Sequence, residues 1–271
     1  MRRRRLDTEI VRRKLAGSKQ EAAELIAADR VTVGGAPAAN AGRFVSPNEA
    51  VVILNEPPRF VTRAGAKLAA GLERFNLSVE NVRALDAGAS GGGFTDCLLQ
   101  HGARQVVAVD VGYGQLHERL RADPRVEVLD RTNIRDLAPG DLGPPFDLIV
   151  ADLSFISLRH VIPGLIGQGR HGTDLVLLVK PQYEATRAEA SRGKGVIRDP
   201  EVWRRVLAEI AGELLMKGAS VLAGAISPIQ GAEGNVEFLI HAALPEDMAP
   251  RQHQPLIDVD DLVAEAIRLS R

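Results

Sequence analysis

The sequence predicts an α/β fold: a mostly parallel sheet of seven strands with helices on both faces, preceded by a small α+β domain. Three observations predict it. From residue 82 onward, short near-continuous apolar runs alternate with helical patterns, as strands buried on both faces do. Four of those runs end in one charged residue, namely Asp86, Asp110, Asp152 and Lys180. An open parallel sheet delivers such side chains to its ligand-binding edge. Before residue 58 the pattern differs, with short helices, short strands and tight turns, closed by Pro57-Pro58. The expected domains are therefore 1–58 and 59–271.

In the first domain, residues 6–16 read as a short helix ended by Gly17. Ser18 and Glu21 form a capping box for a second helix that turns Ala22, Leu25 and Ile26 inward. Val31 to Val33 alternates as a strand, Gly34-Gly35 suits a two-residue hairpin, 40–46 is loop-like, and 50–54 is another strand. In the second domain a helix over 66–75 precedes the sheet. The strands are expected at 82–87, 105–110, 126–130, 146–152, 174–180, 219–226 and 235–243. Helices fit at 94–100, 114–122, 156–168 and 200–216, with an amphipathic helix over 258–269.

Composition narrows the class. The 271 residues are 45% hydrophobic and 25% charged, the balance of a folded soluble protein. A net charge of −1 points to no partner, but it hides a basic cluster between Met1 and Lys14. The single cysteine, Cys97, excludes an internal disulfide and a four-cysteine zinc site, and fits a reducing cytoplasm. No apolar run approaches the roughly 20 residues that span a bilayer, and Asp7 and Glu9 interrupt any signal-peptide core.

The segment 86–96, DAGASGGGFTD, joins a strand to a helix through a glycine-rich turn. Glycines let the backbone turn sharply and approach a ligand, and the helix N-terminus offers free N–H groups. Asp86 would repel a pyrophosphate and suits a cofactor bearing an ammonium and a sulfonium. Asp110, at the end of the next strand, can accept both hydroxyls of a ribose. Together they favour S-adenosylmethionine over a dinucleotide, with Asp86, Gly88, Ala89, Ser90, Gly91, Gly92, Phe94 and Asp110 as cofactor residues. Asp130 and Asn133 follow the third strand, where an adenine would lie. A structural turn with strand-end acids is the plainer alternative.

Four charged residues stand where buried elements avoid them: Lys67, Asp152, Lys180, and Glu237 within the apolar run NVEFLI. A ribose 2′-hydroxyl is a poor nucleophile, so its methylation needs a proton acceptor. A lysine serves if burial and a like charge favour its neutral form. Lys180 is the candidate base and Asp152 its orienting partner, with Lys67 and Glu237 positioning the ribose. Two structural ion pairs at a sheet edge are the alternative. Cys97, on the helix after the turn, reads as a small core residue.

These residues carry a resemblance. The segments DAGASGGGFTD, DVGYGQL, DPRVEVLDRTN, ADLSFISL, LVKPQ and GNVEF resemble the TlyA (hemolysin A) family of ribosomal RNA 2′-O-methyltransferases, itself similar to FtsJ-type enzymes. The N-terminal RLDTEIVRRKLAGSKQEAAELIAADRVTVGG resembles an S4 RNA-binding domain. The resemblance implies a Rossmann-like class I methyltransferase fold and an S4-like first domain. It further implies a Lys-Asp-Lys-Glu tetrad at Lys67, Asp152, Lys180 and Glu237, and methylation of cytidine ribose in ribosomal RNA, with no metal. Gly91 stands where the family carries Ser or Thr, and Tyr183 where it carries Phe.

Arg3, Arg4, Arg5, Arg12, Arg13, Lys14, Lys19 and Arg63 are the expected contacts to RNA phosphates in the ribosomal subunit. The polar segment 184–198, with Arg187, Arg192, Lys194 and Arg198, is expected to be a loop that clamps RNA. Three rival readings are a non-catalytic RNA-binding assembly factor, a membrane-active haemolysin and a small-molecule O-methyltransferase, for which the basic N-terminal module would have no purpose.

Overall fold

The computed structural model describes residues 3–38, 40–54, 58–231, 233–245 and 258–269, and divides into two compact units, Met1–Pro58 and Arg59–Arg271.

The first unit contains strand β1 (Arg4–Arg5), helices α1 (Leu6–Arg12) and α2 (Lys19–Ala27), and strands β2 (Val31–Val33), β3 (Ala36–Pro37), β4 (Phe44–Val45) and β5 (Val51–Ile53). β2 pairs with β3 and β5, and β1 pairs with β4. Gly34 and Gly35, at φ +61° and +83°, make the hairpin turn. Leu6, Ile10, Ala22, Ile26 and Val31 pack as its core. The Ser18 hydroxyl accepts from the Glu21 amide, whereas the Glu21 carboxylate accepts from the Gly17 amide, one residue before the cap. Two expectations for this unit are corrected. α1 stops at Arg12, because Arg13 swings out to the loop 46–49 and Lys14 is left-handed at φ +59°. The loop over 40–46 contains β4, which Arg4 and Arg5 recruit by backbone pairing.

The second unit opens with α3 (Ala64–Arg74). It continues through β6 (Arg83–Ala87), α4 (Gly93–Gln100), β7 (Gln105–Val109), α5 (Glu118–Arg121), β8 (Val126–Leu129) and β9 (Phe146–Ala151). Then follow α6 (Ile162–Gly167), β10 (Gly169–Val179), α7 (Pro181–Glu184), α8 (Arg187–Arg192), α9 (Pro200–Met216), β11 (Ser220–Ile226), β12 (Phe238–Ala243) and α10 (Val259–Leu269). The seven-stranded sheet runs β11-β12-β10-β9-β6-β7-β8. β12 alone is antiparallel to its neighbours. Two apolar clusters cover the faces, one with Trp203, Phe238 and Ile149, the other with Leu68, Leu98 and Leu148. The sheet is thus the expected Rossmann-like arrangement.

Chain order reverses between β6 and β9, so their C-terminal ends open a crevice at a topological switch point. Three expectations are corrected. Only Glu118–Arg121 of 114–122 is helical, because Leu116 and Leu120 turn under Gly92. The helix expected over 156–168 is a 3-10 turn, Leu158–His160, followed by α6, with Pro163 in its first turn. The segment 184–198 is not simply a loop. It holds α8, capped by a reciprocal Thr186–Glu189 box, and Asn235 bonds both the Gly195 carbonyl and the Ile197 amide.

Candidate active site

β6 ends at Ala87, and Gly88 turns the chain at φ +84°. A Cβ there would lie 2.6 Å from the Asp152 carbonyl oxygen. The Asp152 amide donates to the Ala87 carbonyl at 3.1 Å, so the two strand ends lock together at this glycine. The next glycines also make room for protein. A Cβ on Gly91 or Gly93 would meet Thr62, and one on Gly92 would meet Leu116 and Leu120. The glycine-rich turn is therefore compact because residues 60–65 and 116–120 close on it.

Asp110 follows β7. Its Oδ2 accepts from the Ser90 amide at 2.8 Å and its Oδ1 from the Gly112 amide at 2.7 Å. One lone-pair direction on each oxygen remains. A cavity of about 420 Å³ opens beside it, lined by Gly88, Ser90, Asp110, Asn133 and Asp152, with Val111, Ile134 and Ile156 as apolar wall. A carboxylate, an amide and an apolar slot suit a ribose joined to a flat base.

A second cavity, of about 270 Å³, is lined by Lys67, Lys180, Asp152, Ser154, Arg63 and residues Ala89 to Gly91. Gly88, Ser90, Asp152 and Ser154 line both cavities. The four charged candidates form two ion pairs. Lys180 Nζ lies 2.6 Å from Asp152 Oδ1, and Lys67 Nζ lies 2.5 Å from Glu237 Oε2. Lys67, Lys180 and Glu237 are all buried, with 5%, 8% and 2% exposure. Each ammonium has its own carboxylate, which limits lysine–lysine repulsion. Glu237 lines neither cavity. It lies behind Lys67, with Oε1 accepting from Gln182.

Of the other sequence candidates, Ala89, Gly91, Phe94 and Arg63 line the second cavity, and Asn133 the first. Three are placed elsewhere. Gly92 is occupied by Leu116 and Leu120. Asp130 turns to Arg121 at 3.0 Å and to the Gly114 amide. Asp86 is fully buried, accepts from the Thr95 hydroxyl at 2.6 Å, and among the described residues its Oδ1 has no hydrogen-bond partner. Burial pushes its carboxyl up to about 7, with Asp152 and Asp110 adding to the rise. Asp86 lines neither cavity.

Sequence reasoning missed Ser154, whose hydroxyl accepts from Lys180 Nζ at 3.0 Å, and Phe155, which is 90% exposed at φ +63° and 5.2 Å from the Tyr183 ring. An apolar residue two or three positions past a strand-end acid was the available signal for Phe155.

In the first unit, Arg3, Lys14 and Lys19 are exposed. Arg4, Arg12 and Arg13 converge on the buried Glu9, and Arg5 pairs with Asp7. Arg13 also donates to the carbonyls of Ser46, Pro47 and Glu49, so much of its fork is engaged inside the fold.

Among the described residues, no helix is long and apolar enough to cross a membrane, and no group of three or more His, Cys, Asp or Glu could hold a metal ion.

Comparison with known proteins accords with this geometry. The FtsJ-like methyltransferase family model matches residues 60–244, and the S4 domain model matches residues 4–51. The 16S/23S rRNA (cytidine-2′-O)-methyltransferase TlyA of Mycobacterium tuberculosis is 46% identical over 92% of each chain. Hemolysin A of Brachyspira hyodysenteriae is 36% identical over 88% of this chain and 98% of its own. A solved Streptococcus thermophilus chain, described as a candidate hemolysin, superposes with a TM-score of 0.71 at 35% identity, over 99% of this chain and 97% of the other. The matched span and this degree of identity together establish that the chain belongs to the FtsJ-like methyltransferases, in the TlyA (hemolysin A) family.

Proposed function

We propose that this protein methylates the ribose 2′-hydroxyl of a cytidine in ribosomal RNA, with S-adenosylmethionine as donor. In this reading residues 59–271 are the catalytic domain and residues 1–58 bind RNA. The observation that carries it is the pair of lysine–carboxylate contacts, Lys180–Asp152 and Lys67–Glu237, against one cavity at the switch point. The printed activity of the M. tuberculosis relative supports the substrate, and the S4 match supports an RNA partner. A ribosomal substrate carries with it a cytoplasmic site of action.

The donor set fits S-adenosylmethionine. Asp110 and Asn133 would hold its ribose and adenine, with Val111, Ile134 and Ile156 against the base and residues Ala89 to Gly91 near its amino-acid end. When bound, the cofactor supplies an electrophilic methyl group. The protein's own task is to place the hydroxyl and take its proton. Lys180 Nζ receives that proton once its amine is neutral, and Asp152 then stabilises the ammonium that forms. Lys67 is held by Glu237 and offers N–H groups to the ribose oxygens. Residues 60–65 pack against the turn and help fix its shape.

The test is methyl transfer from labelled S-adenosylmethionine to unmodified ribosomal subunits, with mapping of the label. Label on a ribose 2′-oxygen is expected. Label on a base would overturn the reading.

A further inference from the structure

The neutral amine of a lysine base carries two N–H bonds and one lone pair on a side chain with four rotatable bonds. One carboxylate partner tethers such a group without fixing its rotation. Lys180 Nζ has two acceptors, Asp152 Oδ1 at 2.6 Å and Ser154 Oγ at 3.0 Å. With both N–H bonds so engaged, the remaining tetrahedral position is fixed by geometry. Lys180, Asp152 and Ser154 all line the second cavity, together with Lys67.

We propose that Ser154 is a positioning residue for the methyl transfer: its hydroxyl is the second acceptor that fixes the Lys180 amine and aims its lone pair at the substrate hydroxyl. This rests on Lys180 being the base. Ser154 is exposed, and among the described residues its hydroxyl has no second partner, so the fold does not depend on it. Its place two residues after Asp152 explains how one short segment supplies both acceptors. The Asp152 backbone is pinned at Gly88 and Ala87.

The experiment compares Ser154→Ala, Ser154→Thr and Lys180→Ala on unmodified ribosomal subunits, with S-adenosylmethionine affinity measured by calorimetry. Ser154→Ala is expected to lower kcat roughly 10- to 100-fold, the cost of a misaligned catalytic group. KM for RNA and Kd for the cofactor should stay within about twofold, since binding common to ground and transition states is untouched. The acid limb of its pH–rate profile should move to lower pH, because the charged amine has lost an acceptor. Ser154→Thr keeps the hydroxyl and should return kcat to within about threefold of the parent. Normal kcat in Ser154→Ala with an inactive Lys180→Ala would overturn the role of Ser154 and leave the base assignment standing. Equal losses in the Ala and Thr variants, with an unmoved acid limb, would also overturn it. Turnover in Lys180→Ala would remove the base assignment itself.

Discussion

Asp86 and Asp110 both close apolar runs in the sequence, yet only Asp110 reaches the cavity. Asp86 lies inside β6, where the pleat turns it under the glycine turn toward Thr95, whereas Asp110 lies one residue past β7 and is free to face outward. In the β6–β7 register Asp86 stands opposite Ala108, two residues short of Asp110, and an apolar run does not reveal how far along the strand its acid falls. The buried carboxyl has a testable consequence. Its ordinary value of 3.8 is raised to about 7 by burial, so its neutral form stabilises the fold below about pH 4 and that contribution is lost as pH rises through about 7. Asp86→Asn has no such dependence. Its stability relative to the parent should therefore grow between about pH 4 and about pH 7, by at most about 4 kcal/mol, in denaturant unfolding followed across pH. Glu9 has the opposite sign. Hydrogen bonds from Arg12, and then Arg13, hold its carboxyl at about 2, so its contribution is present above its ordinary 4.5 and lost as pH falls through about 2. Glu9→Gln should be less stable than the parent at neutral pH, and the gap should close in acid. A constant gap would mean that Glu9 is not the ionised hub of the arginine cluster.

At the scale of elements, α9 and the seven strands were legible because their signals are local. Asp199 caps α9, Pro200 starts it, and its apolar spacing runs unbroken to Leu214. The misread elements are those in which a contact distant in sequence decides. Leu116 and Leu120 look like a helical stripe, but they are drawn under Gly92. The basic run after α7 looks like a free loop, yet Arg205 reaches Glu189 at 2.7 Å and Asn235 ties its far end. The glycine turn was legible as a turn, although not the protein packing that requires it. Gly88→Ala would force a Cβ against the Asp152 carbonyl at an unfavourable φ. It should cost about 1–3 kcal/mol of stability and lower turnover, because Asp152 carries Lys180 with it. Gly218→Ala, also at positive φ but with nothing within 4 Å, should cost about 1 kcal/mol and leave turnover unchanged. Equal effects of the two substitutions on turnover would break the link between the turn and the ion pair.

At the scale of the molecule, two units with separate cores divide the work that the proposed function requires. The tetrad was legible as four charges in improbable places, and the fold resolves it into two ion pairs. The basic N-terminus was legible as a cluster, but not the way in which Glu9 and Asp7 absorb much of its charge. Phosphate contact through the arginines and lysines that remain exposed predicts that RNA affinity falls linearly with salt on logarithmic axes, by about 0.7 per contact on single strands. A flat response in filter binding would contradict it. The central claim is that Lys180, held against Asp152, accepts the proton of a ribose hydroxyl. Its most direct measurement is methyl transfer to unmodified ribosomal subunits by the parent and by Lys180→Ala, with cofactor affinity followed in parallel. The account predicts ribose 2′-O label from the parent, and loss of turnover by about 100-fold or more in the variant with cofactor affinity retained. Near-normal turnover in Lys180→Ala would contradict it.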